Sequence, residues 1–330
     1  MERFMFEKSK INISKKRNVS HPAFNEIRES CAQELRTKGF ETEVYLLTGG
    51  VGVKLLNATH PSLAQIAHFP IIEFDFNYPG TPPLDHLAFF QLQGLRFSQS
   101  NLQSFAQLEQ FALKKLHLDG TNATDFDSLS SHQLEELSLR KTLVKSLEFL
   151  DSVAIEKLYL SQTHVNQKSL CSLKGKPLKE IDLFKCEISD LSAFADSPLE
   201  ELIISGTSVH CLSPISSCPI RKLKMRATDI HDLSPLSNCP IEVLHLPGSP
   251  VKSLIPISYC PIHELNIVGL ELDDLSPLLN MPLRKLAISK QQLTVNQITV
   301  LKQLQLDTLV SPGDPEGQKP EDFFRKTLTN

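Results

Sequence analysis

The sequence predicts an α/β solenoid. About twelve coils stack into one parallel β-sheet on a concave side, and each coil closes through a short 3₁₀ or extended segment on the convex side. Three observations carry the prediction. Apolar residues recur with a period of 21 over most of the chain, and a fixed period in the range of 20 to 50 residues is the mark of a repeat architecture. Within each period they fall at the spacing of a short strand followed by a tight turn. Proline closes period after period, at Pro219, Pro240, Pro261 and Pro282.

The register is read by superposing the chain on itself. Leu199, Leu202, Ile204, Val209, Leu212 and Ile215 match Ile220, Leu223, Met225, Ile230, Leu233 and Leu236 at a shift of 21, and Ile241, Leu244, Leu246, Val251, Leu254 and Ile257 repeat them. Coils begin at 50, 71, 92, 113, 134, 155, 178, 199, 220, 241, 262 and 283. The first and last are imperfect, as terminal capping repeats are. One step, from 155 to 178, is 23, which places a two-residue insertion between Val165 and Lys176.

Each part of the coil has its own physical reason. Alternate side chains of a strand point to opposite faces, so Leu223 and Met225 and their equivalents enter the interior. Three residues beyond the last inward residue stands a small polar side chain: Ser100, Thr121, Thr142, Thr163, Cys186, Thr207, Thr228 and Ser249. Such a group is expected to satisfy buried backbone groups of the turn, which cost about 1 to 3 kcal/mol each when left unpaired. The words Asp232-Leu233-Ser234-Pro235-Leu236 and their copies follow. Serine is a good cap and proline suits a first helical position, so one short 3₁₀ turn is expected there. Gln167 to Lys174, in the 23-residue coil, is the one place with room for more. The third positions, Lys115, Glu136, Lys157, Glu180, Glu201 and Lys222, set mostly opposite charges on neighbouring strands, pairs worth about 0.2 to 1 kcal/mol each.

The pattern LxxLxLxxTxVxDLSPLxxxP resembles the short bacterial leucine-rich repeats, including the internalin-like class and arrays attached to bacterial signalling proteins, over roughly 50–303. The resemblance implies a leucine-rich repeat horseshoe that presents its concave surface to protein ligands. Two departures stand out. Thr replaces the Asn of many relatives, and no secretion leader is recognisable at the N-terminus, so a surface adhesin is not expected.

Three regions follow. Residues 1–49 form an N-terminal segment with a cap, built from an amphipathic helix over Pro22 to Lys38 (Phe24, Ile27, Cys31, Leu35) and a strand at Glu43 to Leu47. Residues 50–303 are the array. Residues 304–330 form a C-terminal cap and a loose tail, Ser311 to Glu321 being rich in Pro, Gly and charge, with Phe323 and Phe324 packing back or lying free.

Composition narrows the function. A net charge of -4 argues against nucleic acid and anionic lipid, which call for a basic field. No apolar run reaches the roughly 20 residues of a membrane helix, and seven cysteines without a CxxC spacing suit reduced thiols, so a soluble, monomeric, cytoplasmic protein is expected. Cys218, Cys239 and Cys260, each before a proline, read as small buried packing residues and not as metal ligands. His117, His210, His231, His245 and His263 show no ligand spacing and read as surface residues. There is no GxSxG or GxxxxGK[ST] motif, and Gly49, Gly50 and Gly52 read as a turn. No enzyme and no cofactor are expected.

The remaining expectation is a protein partner on the concave face. Residues flanking the last leucine of each strand, from Arg96 and Ser98 onward, should point outward. Tyr159, Phe184 and Ile203 make an apolar centre beside Asp182, with Arg140 on one side and Lys224 and Arg226 on the other. Aromatic and arginine side chains are the usual anchors of interfaces. The leading reading is a non-catalytic interaction module for a partner of mixed or acidic character. The alternative is a regulatory or substrate-recruiting subunit of a signalling enzyme system such as a kinase pathway.

Overall fold

The computed structural model describes residues 22–57, 63–97, 102, 104–290, 293–312, 314–318 and 323. Fifteen strands form one sheet in strict sequence order. The cap comprises helix α1 (Pro22–Thr37) and strand β1 (Thr42–Leu47), which pairs antiparallel with β2 (Gly50–Leu55). Cys31 and Leu35 of α1 are buried beside Phe40, Val51 and Val53, so the helix covers the open end of the first coil.

From β2 the ladder runs parallel: β3 (Ile71–Phe76), β4 (Gly94–Phe97), β5 (Lys115–His117), β6 (Glu136–Ser138) and β7 (Lys157–Tyr159). It continues through β8 (Glu180–Asp182), β9 (Glu201–Ile203), β10 (Lys222–Lys224), β11 (Val243–His245), β12 (Glu264–Asn266), β13 (Lys285–Ala287) and β14 (Thr308–Ser311). The register is the period of the sequence: Leu202, Leu223, Leu244, Leu265 and Leu286 are partners across successive strands. All five are fully buried. Interstrand bonds outlast the three-residue strands, with the N–H of Ile204 donating to Lys224 O at 2.9 Å and that of Gly206 to Arg226 O at 2.8 Å.

The small polar column lies inside the coil, as its chemistry requires. The hydroxyls of Thr121, Thr142, Thr163, Thr207 and Thr228 donate to the carbonyls of Leu118, Leu139, Leu160, Ile204 and Met225 at 2.7 to 2.9 Å. Cys186 and Ser249 reach the previous coil instead, at Leu160 O and Met225 O. Ser98 and Ser100, the first members of their columns, fall outside the described residues, as do Phe324 and the basic residues Lys8 to Arg17.

On the far side each coil turns through a 3₁₀ segment, such as Ser213–Ile215, Ser234–Leu236 and Ser276–Asn280. Pro takes an early position in each, but Ser is the first turn residue and not the cap. In the last two the acceptor is an aspartate two residues earlier: the N–H groups of Ser234 and Ser276 donate to Oδ1 of Asp232 and Asp274, both at 2.8 Å. A carboxylate reaching forward to the backbone two residues on is a stronger acceptor than a hydroxyl. The 23-residue coil holds a seven-residue 3₁₀ segment, Gln167–Leu173, capped by Asn166.

The last coil departs from the pattern. Its convex segment is an α-helix, α2 (Val295–Gln303), opened by a reciprocal capping box between Thr294 and Gln297. Beyond β14 the chain turns back as β15 (Asp314–Gln318), antiparallel to β14, where a loose tail was expected. The unpaired N–H and C=O groups of β14 explain this, since an open edge is a ready template for any nearby extended chain. Phe323 is buried, with the Lys290 ammonium 4.8 Å from its ring centre.

Candidate functional site

The outward face of the sheet is built from three columns that flank the buried ones, two within each three-residue strand and one just beyond it. Its N-terminal third is a closed polar network. Glu73, 3% exposed, accepts the Tyr45 hydroxyl at 2.7 Å and Arg96 Nε at 2.8 Å on the same oxygen. Arg96 Nη1 donates to His117 Nδ1 at 3.2 Å, and His117 Nε2 lies 2.7 Å from Glu136 Oε1. A guanidinium only donates, so these partners assign the proton of the neutral imidazole to Nε2. The hydrogen bond from His117 holds the Glu136 carboxyl below its ordinary range against the cost of its burial. Gly52 makes the network possible, because a Cβ there would overlap the Tyr45 ring.

The seven residues singled out in the sequence divide into two groups. Arg140, Tyr159 and Asp182 lock onto one another: Arg140 Nε donates to Asp182 Oδ2 at 3.3 Å, and its guanidinium carbon sits 4.4 Å from the Tyr159 ring centre. The Tyr159 hydroxyl donates to Glu180 at 2.7 Å, and Glu180 also takes the Lys157 ammonium. Asp182, its side chain only 9% exposed, accepts the Phe184 N–H at 3.1 Å with its other oxygen. These three scaffold the face. Ser138, Ser161 and Ser205, expected to be exposed, are buried beneath it.

Phe184, Ile203, Lys224 and Arg226 form the second group. Phe184 and Ile203 are half-buried, and Lys185 Nζ stands 5.3 Å from the Phe184 ring centre. Ile203 lies in register between Asp182 and Lys224. Neither the Lys224 ammonium nor the Arg226 guanidinium has an ion-pair partner among the described residues, while Lys222 beside them pairs with Glu201 at 2.9 Å. The Arg226 backbone N–H is held by Ser205 Oγ at 3.0 Å, so the coil is fixed while the side chain is exposed. A shallow depression next to it is lined by Arg226, Ala227, Pro247, Gly248, Asn266 and Val268. Sequence reasoning stopped the outward columns at Arg226. Carrying them two coils further reaches Pro247 and Val268, and Lys185 is the residue next to Phe184.

The other candidates are structural. Cys218, Cys239 and Cys260 are buried, the Cys218 thiol resting on Phe194 O at 3.2 Å, and burial pushes the Cys239 and Cys260 thiols up. Among the described residues no group of three His, Cys, Asp or Glu is placed to hold a metal ion. His210, His231 and His263 are exposed, but His117 and His245 are half-buried, the latter 2.9 Å from Glu264. His132, which carries no sequence signal, is 6% exposed, and burial holds it below its ordinary range. Among the described residues no helix is long and apolar enough to cross a membrane.

The chain resembles known proteins in fold alone. No family model matches it, and no curated protein matches it in sequence. Solved structures match in fold. An internalin from Listeria monocytogenes superposes with a TM-score of 0.62 at 16% identity, over 88% of this chain and 88% of its own. The leucine-rich repeat ectodomain of the Arabidopsis receptor kinase HAESA, solved with a peptide hormone ligand, gives 0.50 at 15% identity, over 81% of this chain and 57% of its own. A leucine-rich repeat protein of Leptospira interrogans gives 0.48 at 18% identity, over 81% and 84%. The molecule is a leucine-rich repeat solenoid.

Proposed function

We propose that the chain is a non-catalytic module that binds a protein partner on the outward, concave face of its sheet. One observation carries the reading: at β8 to β10 that face keeps two apolar side chains, Phe184 and Ile203, beside two cations, Lys224 and Arg226, that no carboxylate among the described residues takes. Arg140, Tyr159 and Asp182 support the patch from the side without being its anchors. An open sheet face without an enclosed, water-excluding pocket suits a macromolecule better than a reacting small molecule. Seven free thiols fit a reducing compartment, and we read the protein as cytoplasmic and monomeric, with no role for nucleic acid or membrane.

The test is affinity capture with the wild-type chain and with Phe184→Ala/Arg226→Glu. The captured protein, purified, should lose at least about tenfold in affinity for the variant, while the melting temperature stays close to that of the wild type. Equal affinity for both chains would remove this face as the binding surface. A regulatory or recruiting subunit of a signalling enzyme would use the same surface, and the identity of the captured protein separates that alternative.

A further inference from the structure

We propose that the outward face between β8 and β10 receives an extended acidic segment of the partner, its carboxylates on Lys224 and Arg226 and an apolar side chain seated on Phe184 and Ile203. This rests on the reading that the face binds protein, and adds the chemistry of what is bound.

The argument starts from how the fold treats its own charges. Every other Lys or Arg on the described strands has a carboxylate partner: Lys54 with Glu43, Arg96 with Glu73, Lys115 with Glu136, Lys157 with Glu180, Lys222 with Glu201 and Lys285 with Glu264. Arg140, in the column just beyond the strands, has Asp182. Lys224 and Arg226 break the rule. The neighbours of Lys224 in register are Ile203 and His245, and those of Arg226 are Ser205 and Pro247. None offers an anion, and the acids of the outward face around them are engaged elsewhere: Asp182 by Arg140 and the Phe184 N–H, Glu180 by Lys157 and Tyr159, Glu201 by Lys222, and Glu264 by His245 and Lys285.

Other acids of the chain lie away from this face: Asp190, Asp232 and Asp274 sit at the 3₁₀ turns, each accepting a serine N–H there. The two cations stand at alternate positions of one chain direction, about 7 Å apart, which matches the spacing of alternate residues in an extended peptide. The apolar pair lies one and two strands away, about 5 to 10 Å. A segment carrying two acidic residues at alternate positions and a large apolar residue close by therefore meets both features at once. A basic segment would meet the repulsion of the two unpaired cations, with Lys185 adding to it.

The experiment sorts a bead-displayed random octapeptide library with the full chain, with Lys224→Glu/Arg226→Glu, and with the milder Lys224→Ala/Arg226→Ala. Wild type should enrich peptides with an excess of Asp and Glu and at least one Phe, Leu or Ile. Resynthesised winners should lose about tenfold or more in affinity for either folded variant, and should weaken as salt is raised. Enrichment of basic or uncharged peptides, the same winners from all three chains, or no enrichment would each overturn the acidic assignment. The outcome is separable from the module reading: a captured partner that needs Phe184 and Arg226 while acidic peptides are ignored leaves that reading standing and removes this one.

Discussion

At the turn that follows each strand from β5 to β12, one residue adopts the left-handed conformation. Gly120, Gly206, Gly248 and Gly269 take it at φ near +70 to +79°, and Lys141, Gln162, Lys185 and Ala227 take it at +50 to +58°. For a residue with a Cβ this region costs roughly 1 to 2 kcal/mol, only partly offset by the extra chain freedom glycine brings to the unfolded state. Ala227→Gly should therefore stabilise the chain by up to about 1 kcal/mol, read as a higher urea midpoint. A lower midpoint would mean that the alanine methyl packs in a way its exposed position does not suggest. Buried histidines set a second expectation at this scale. Burial holds His132 below its ordinary 6.5, and burial, with Lys224 and Lys285 nearby, outweighs the Glu264 hydrogen bond to hold His245 down as well. Such a group binds fewer protons folded than unfolded, so stability is full above about pH 6.5 and declines as the pH falls through that value. Glu136, held low by His117, adds a further loss below about pH 4.5 as its carboxyl is protonated. The melting temperature should thus fall in two stages on acidification, and His132→Gln should flatten the upper one.

The seven-residue 3₁₀ segment of the long coil is unusual for its kind, since such runs rarely exceed three or four residues. Asn166 secures it by accepting the N–H groups of Lys168 and Ser169 at 3.1 and 3.3 Å, and the Ser169 hydroxyl fastens it to Lys145 O at 2.5 Å. Asn166→Ala should cost about 1 kcal/mol, measurable as a lowered thermal midpoint; no change would show that the neighbouring coils alone hold the segment. Elements of this kind differ in how far the sequence announces them. The strands and the threonine column were legible because each depends on a residue and its copy 21 positions away. The cap of the 3₁₀ turns was misread, since Ser and Asp both suit the role and only geometry shows that the aspartate reaches forward. Helix α2 had a readable signal in Thr294 and Gln297, three apart, which the assumption of unbroken periodicity hid. Strand β15 had none: Asp314, Pro315 and Gly317 are poor strand formers, and their pairing follows from the exposed edge of β14 alone.

The whole molecule is nearly one-dimensional, each coil leaning only on its neighbours. Removing one full period, Ile220 to Pro240, should leave a folded solenoid with unchanged circular dichroism per residue and a modestly lower midpoint. Removing half a period should lower the midpoint far more, because the truncated coil can no longer supply both its strand and its convex turn to its neighbours. The full-period deletion would also take Lys224 and Arg226 with it, so partner binding should vanish from a chain that is still sound. The outward face of the sheet was legible in the sequence because it follows from the period. Which of its charges are free was not, because a pair such as Arg140 and Asp182 joins residues 42 apart across a tyrosine, and only side-chain geometry decides it.

Stacked parallel strands have no inherent reason to stop, and two identical exposed ends would let one molecule dock onto the next without limit. Among the described residues both outermost strands run against their neighbours, β1 roofed by α1 and β15 containing Pro315. A second copy arriving at either margin finds reversed polarity and, at one of them, a missing amide proton. The same ladder that accepts coil upon coil within a chain is thereby kept from propagating into fibres, and concentrated solutions should stay free of them.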